Sequence, residues 1–209
     1  MSLSPFDALP PELLARIFLQ LPHPALLALL RVCKRFREVV THDPALMVQR
    51  FRRPSAVFID PLNRVDYDAI WEGYRIEPVK LHPALCRVRY RLGDPPASLR
   101  LPDSSPAAAG CTDSTRSMLL LEHGIAAELI AIPSVTELHA RVVLAAPGPA
   151  ALEFTVCNAD GVRLADFFGA LVGASMSRPF GVAAPSYYRF CNATRRGTVL
   201  AGNLYVRYQ

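Results

Sequence analysis

The stretch that most constrains the fold of this chain is residues 9–40, where every second position on average is strongly apolar. Sixteen of its thirty-two positions are Leu, Ile, Val, Phe or Cys. Three short helices cannot hide that much apolar surface in one another, and surface left over after internal packing usually marks a protein interface. Either the rest of this chain or another protein must therefore cover it.

The spacing of proline and leucine predicts three helices in this stretch and a fourth after it. Pro10-Pro11 is typical of a helix start, because proline at the first helical position loses no hydrogen bond. Pro22-His23-Pro24 ends the first helix and opens the second, and the third has apolar residues on one face and basic residues on the other. Asp43-Pro44 predicts an N-cap and a short helix through Phe51. The first helix carries one predicted apolar face, formed by Leu13, Leu14, Ile17, Phe18 and Leu21.

These residues also follow a known family pattern in order and spacing. The matching blocks are Leu9-Pro10-x-Glu12-Leu13-Leu14, Ile17-Phe18, Leu21-Pro22, Leu26-Leu27, Val32-Cys33-Lys34 and Phe36-Arg37. The segment from about residue 6 to residue 53 therefore resembles an F-box. One departure is His23-Pro24-Ala25, where the family often has an acidic residue before its second helix.

The resemblance implies a three-helix module that docks on the Skp adaptor of a cullin-RING ubiquitin ligase, and through it on a cullin. A set of residues would form or support that docking surface: Leu9, Pro10, Glu12, Leu13, Ile17, Phe18, Leu21, Leu26, Leu30, Val32, Cys33 and Phe36. For any one of them, internal packing is an equal alternative. The expected protein is a non-catalytic, substrate-recruiting subunit of an SCF-type ligase, with an unknown protein as its substrate.

Beyond Pro54-Ser55 the pattern changes, and residues 56–209 predict an α+β domain that would recruit the substrate. The predicted elements are strands at 56–59, 86–92, 136–144, 152–157 and 203–208, a tight turn at 158–161 and a helix at 162–174. Residues 93–117 predict a mobile loop, and Gly169-x-x-x-Gly173 predicts close packing of the helix on the sheet. The fold class is therefore α+β, a helical module followed by a mainly antiparallel sheet with a covering helix.

Part of this second domain is similar to a fungal domain of unknown function. The similarity runs from Ile132-Pro133-Ser134-Val135-Thr136-Glu137-Leu138, through Phe154-Thr155-Val156, to Asn158-x-x-Gly161-Val162-x-Leu164-x-Asp166-Phe167. It implies a fungal origin and a strand–turn–helix order, and it carries over no activity.

The charge of the chain is concentrated in the helical module. Residues 1–53 hold eight Lys and Arg against four Asp and Glu, and the remainder holds fifteen against fourteen. The excess lies at Lys34, Arg35, Arg37, Arg50, Arg52 and Arg53. Three interpretations stay open: a solvated helix face, steering toward an acidic partner such as the Skp adaptor, and nucleic-acid contact. Because no aromatic-interleaved basic stripe is present, we expect no nucleic-acid partner.

The sequence contains no constellation for catalysis. GxxxxGK[ST], GxGxxG and HExxH are missing, and Gly173-Ala174-Ser175-Met176-Ser177 departs from the GxSxG elbow at its last residue. The five histidines are isolated, and the five cysteines are scattered without CxxC spacing. We therefore expect no enzyme activity, no cofactor, no metal site and reduced thiols.

The N-terminal residues lack the basic and hydrophobic regions of a signal peptide, and no apolar run approaches about 18 residues. We therefore expect no membrane partner and a location in the cytoplasm, the nucleus or both. Two rival functions remain. The F-box could serve a scaffold or decoy that acts without a complete ligase, or the helices could simply pack on the sheet of a self-contained α+β domain.

Overall fold

The structure is a computed structural model that describes residues 5–56, 79–102, 117–120, 124–143, 152–177 and 186–207. The predicted strand at 56–59 lies almost entirely outside these residues, as does most of the predicted loop at 93–117. No described helix is both long enough and apolar enough to cross a membrane.

The N-terminal module contains the predicted helices, preceded by a 3₁₀ turn at Pro5–Ala8. The helices are α1 (Pro11–Phe18), α2 (His23–Leu29), α3 (Lys34–His42) and α4 (Pro44–Gln49). Proline stands in the first turn of α1, α2 and α4, as the sequence predicts. The side chain of Asp43 caps α4 by accepting from the backbone N–H groups of Ala45 and Leu46, both at 3.0 Å.

A small core of its own holds the module together. Its buried residues come from all four helices: Leu14, Ala15, Phe18, Leu26, Val39, Val40 and Leu46. The ring of Phe36 packs edge-on against Phe18, with 5.0 Å between centroids. Gln49 ties α4 to the turn after α1, because its side-chain amide donates to the carbonyl oxygens of Leu19 and Leu21.

The C-terminal domain is built on a seven-stranded sheet, which confirms the predicted fold class. Its strands are β2 (Arg89–Tyr90), β3 (Arg100–Pro102), β4 (Ser117–Leu119), β6 (Glu137–Val143), β7 (Leu152–Cys157), β8 (Ser186–Arg196) and β9 (Val199–Arg207). Their order is β4-β3-β2-β8-β9-β6-β7. All pairs are antiparallel except β6 with β9. A separate two-stranded ladder joins β1 (Lys80–Leu81) to β5 (Ala131–Ile132).

Helix α5 (Leu164–Met176) covers one face of this sheet, as predicted. The turn before it contains Gly161 with φ +102°, a conformation that side chains disfavour. Phe167 lies at the centre of an aromatic cluster in the core. The centroid of its ring is 5.1 to 6.1 Å from those of Phe154, Phe168 and Phe190. The prediction that Gly169 and Gly173 pack on the sheet is wrong. Both lie on the exposed side of α5, and added Cβ atoms would meet nothing within 4 Å.

Two local predictions also need correction. Residues 86–92 do not form one strand, because Pro83–Cys86 is a 3₁₀ turn capped by the His82 side chain, which leaves only β2. Residues 93–102, predicted as the start of a loop, instead contain a 3₁₀ turn at Pro96–Ser98 and strand β3. The buried side chain of Leu99 explains the difference, since it packs into the core and fixes this segment beside β2.

Candidate functional site

Helix α1 is apolar on two sides, not on the single face that the spacing predicts. Leu14, Ala15 and Phe18 are buried in the core of the module. Leu13 and Ile17, one helical turn apart, are each 43% exposed. We call these two side chains the outer face of α1. Phe6 and Val32 are further large apolar side chains of this module that are exposed. Exposed apolar side chains on a helix that is already packed are typical of a docking surface.

The structure divides the residues predicted for docking into three groups. Pro10, Glu12, Leu13, Ile17, Val32 and Cys33 are exposed. The second group is half-buried and packs against the module core: Leu9, Leu21, Leu30 and Phe36. The third group, Phe18 and Leu26, is buried within that core. The exposed residues are therefore able to touch a partner directly, and the buried ones are able to support that surface from below.

Several basic residues of the module have partners within this chain. Arg35 donates to the carbonyl oxygen of Leu9, and Arg37 donates to that of Leu30 at 2.9 Å. Arg50 is buried and donates to the carbonyl oxygen of Val40 at 3.3 Å. Part of the basic excess therefore fixes loops and helix ends of the module itself, a role that the charge count alone does not reveal.

A polar cluster lies where the module meets the C-terminal domain. The carboxylate of Glu128, 1% exposed, accepts from Arg52 Nε at 2.7 Å and from His82 Nε2 at 2.9 Å. His23 Nε2 lies 3.8 Å from the same carboxylate. Burial alone would raise the pKa of the Glu128 carboxyl, but its contacts with His23, His82 and Arg52 lower that pKa to about 2. Glu128 is therefore ionised at neutral pH.

His23, His82 and Glu128 are also a set of metal-ligand side chains, with ligand atoms within 4.8 Å of one another. These histidines are isolated in the sequence, and the fold brings two of them together. The backbone N–H of Ala84 donates to His82 Nδ1 at 3.0 Å, so the neutral ring carries its proton on Nε2. Nε2 then donates to Glu128 and offers no lone pair to a cation. Burial also lowers the pKa of His82, outweighing the hydrogen bond to Glu128 that raises it, and this favours the neutral ring.

One signal for this cluster is present in the sequence. Glu128 is a lone carboxylate inside an apolar run, with Ala126-Ala127 before it and Leu129-Ile130 after it. A charged residue in such a run is buried only when it is paired. The partners themselves lie far away in the sequence, so no spacing rule connects them.

The exposed face of the sheet, opposite α5, is polar. His139 contacts Thr155 Oγ1 at 3.0 Å and Glu137 at 2.9 Å, and Arg141 lies 3.4 Å from Glu153. His139 with Thr155 and Arg141 with Glu153 are cross-strand pairs between β6 and β7, and Glu137 contacts His139 along β6 itself. Such pairing is typical of a solvated face. Ser175, from the near-match to GxSxG, is fully buried, and its hydroxyl bonds Tyr90, Gly93 and Val172. It therefore supports the fold rather than facing a substrate.

Comparison with known proteins bears on the helical module alone. Residues 6–53 match the family model described as F-box-like. No curated protein and no solved structure matches the chain. Domains of this family are typically non-catalytic adaptor modules that bind a Skp adaptor. With its packed helices, its buried core and the outer face of α1 left exposed, the N-terminal module of this protein is an F-box-like domain.

Proposed function

We propose that this protein is the substrate-recruiting adaptor of an SCF-type cullin-RING ubiquitin ligase. The F-box-like domain docks on the Skp adaptor, and the C-terminal domain binds a target protein for ubiquitination. The protein transfers no ubiquitin itself. It raises the local concentration of the target beside the ligase, so that a rare encounter becomes effectively intramolecular.

The outer face of α1 is the observation that carries this proposal. Leu13 and Ile17 are exposed even though their helix is packed against the rest of the domain. The rival in which the helices only pack on the sheet predicts that these side chains are covered. Contact between the two domains is instead made by His23 of α2, which lies near Glu128, and by α4 and the residues that follow it, where Val48 and Phe51 pack against Leu129 and Ile132.

Co-purification of the Skp adaptor with full-length variants tests the proposal. Replacing both Leu13 and Ile17 with Asp places two charges on the proposed interface, and we expect adaptor binding to fall at least about 100-fold. Met176→Asp is the matched control, because Met176 is 58% exposed at the end of α5 and lies far along the chain from the F-box-like domain. Equal adaptor binding by the folded double variant and by the wild type would overturn the proposal.

The presence of a cullin in the same complex separates a ligase subunit from a scaffold or decoy. A ligase subunit brings the cullin and loses it together with the adaptor in the Leu13 and Ile17 double variant. A scaffold or decoy retains the adaptor without the cullin. Detection of the adaptor alone, at cullin concentrations that saturate a known F-box protein, would favour the second function.

A further inference from the structure

The end of α4 has a backbone conformation that requires support from its surroundings. Phe51 has φ +59°, in the left-handed region that normally holds glycine at a helix C-terminus. Two hydrogen bonds close the end of the helix in the pattern of a Schellman motif. Phe51 N–H donates to the Val48 carbonyl oxygen at 2.8 Å, and Arg52 N–H donates to that of Met47 at 2.9 Å. Such a conformation in a residue with a large side chain persists only where the surrounding structure holds it.

That conformation points the Phe51 ring into the boundary between the two domains. The ring is fully buried and lies edge-on to His23 of the F-box-like domain and to His82 of the C-terminal domain, with centroids 5.6 and 4.6 Å away. Two backbone hydrogen bonds cross the same boundary. Leu129 N–H donates to the Phe51 carbonyl oxygen at 2.7 Å, and Ser134 N–H donates to that of Ser55 at 2.9 Å.

Polar and charged groups of both domains meet on one carboxylate at this boundary. Glu128 belongs to the C-terminal domain and is the one buried carboxylate among the described residues. Arg52 and His23 approach it from the F-box-like domain, and His82 approaches it from its own domain. Arg50, also buried and cationic, interacts electrostatically with the same carboxylate. Without Glu128, the buried Arg50 and the partly exposed Arg52 would face a neutral surface of the other domain, which is unfavourable.

We propose that Glu128 is a latch that holds the F-box-like domain against the C-terminal domain in one orientation. Its carboxylate bridges groups from both sides, and this bridge keeps Phe51 and the two crossing backbone hydrogen bonds in place. The latch is a property of the free protein and does not depend on adaptor binding. Where the adaptor binds, the latch fixes the direction in which the C-terminal domain extends from it.

Hydrogen exchange of individual backbone amides tests the latch in the full-length protein. The reporters are the amides of Leu129 and Ser134, whose hydrogen bonds cross the boundary. In Glu128→Gln we expect these two amides to exchange about 10- to 1,000-fold faster, less than for a fully buried ion pair because the Arg52 side chain is 40% exposed. Amides inside α1 and β6, each within one domain, should keep their protection.

Two further variants complete the design. Glu153→Gln is the matched control, since it removes an exposed carboxylate that also lies near an arginine. It should leave Leu129 and Ser134 unchanged. Arg52→Met removes one partner of Glu128 and keeps His82, so it should give a smaller acceleration at the same two amides. This variant remains informative if Glu128→Gln does not fold.

The pattern of amide protection across the variants distinguishes a latch from a residue of general stability. Selective loss at Leu129 and Ser134 in Glu128→Gln or Arg52→Met supports the latch. Unchanged exchange at both amides would overturn it, because the boundary would then hold without the carboxylate. Equal loss of protection across both domains would overturn it as well, since Glu128 would then be a general stability residue.

Discussion

Helices α1 and α5 are both rich in large apolar residues, yet they use them in opposite ways. In α5 the large side chains of Leu164, Phe167, Phe168, Leu171 and Val172 are all buried, and the exposed side holds Gly169 and Gly173, with Met176 exposed only at the C-terminal end of the helix. In α1 the exposed side holds Leu13 and Ile17. The outer surface of α5 therefore offers little apolar side chain, whereas that of α1 offers two branched side chains one turn apart.

This difference shows that apolar content alone does not identify a docking surface. Both helices are rich in apolar residues, but α5 exposes one large apolar side chain, Met176 at its last residue, whereas α1 exposes Leu13 and Ile17 together along one side. The side chains that a helix leaves exposed, rather than those it buries, distinguish a core helix from a helix available to a partner. The following predictions test this contrast.

The largest effect is expected from truncating the centre of the α5 core. Phe167→Ala removes a fully buried ring that contacts three other aromatic rings. It should lower the free energy of unfolding by about 3–5 kcal/mol, the usual range for such a cavity. Urea denaturation of the full-length protein measures this loss. A change below about 1 kcal/mol would contradict the assignment of α5 as a core helix.

The boundary between the two domains should respond to acid through Glu128. Its carboxyl has a pKa of about 2 in the folded protein against 4.5 when unperturbed. A lowered folded-state pKa adds stability above about pH 4.5 and loses it as the pH falls toward 2, by roughly 3 kcal/mol in total. The stability difference between wild type and Glu128→Gln should therefore shrink over this window. Chemical denaturation at each pH measures this difference. A difference in free energy of unfolding that stays constant from pH 5 to pH 2 would argue against an ionised, paired carboxylate.

Two glycine substitutions should act in opposite directions. Gly202→Ala places a Cβ atom 2.4–2.5 Å from atoms of the Phe190 ring, and we expect a loss of about 1–3 kcal/mol. Gly169→Ala adds a methyl group on the exposed side of α5, where nothing lies within 4 Å, and should gain up to about 1 kcal/mol. Thermal denaturation of both variants compares them directly. Destabilisation by Gly169→Ala would mean that this side of α5 is covered.

The smallest effect on stability is expected on the outer face of α1. Leu13→Asp replaces a partly exposed side chain in the first turn of the helix, where a carboxylate interacts well with the helix dipole. The free energy of unfolding should change by no more than about 0.5 kcal/mol. Chemical denaturation provides the measurement. A loss of several kcal/mol would show that Leu13 is a core residue and would remove the contrast with α5.

Local sequence signals predicted the elements whose determinants lie within a few residues. The prolines and Asp43 set the starts of three module helices, and the strands predicted at 136–144 and 152–157 correspond to β6 and β7. The F-box pattern identified the module, which the family match confirms. Helical spacing also gave α5, but not the side of it that carries Gly169 and Gly173.

The features that sequence reasoning missed depend on residues far apart in the chain. Strand β2 pairs with β8 about a hundred residues later, and the two residues of β2 are too few to carry an alternating pattern. The same holds for the contact between Arg52 and Glu128, which are separated by 76 positions. Spacing along one helix also cannot say which of two apolar sides the domain will bury. The exposure of Leu13 and Ile17 therefore became visible only in three dimensions.

The strand order has a consequence for how the C-terminal domain is made. Strands β8 and β9 are the last described in the chain, yet they occupy the middle of the sheet, between β2 and β6. During synthesis, strands β2–β4 and the pair β6–β7 are therefore made before the strands that join them. Until β8 and β9 are made, β2 and β6 each have an unpaired edge. A stop before residue 186 would leave them unjoined. The seven-stranded sheet can therefore be completed only after the hairpin of β8 and β9 has left the ribosome.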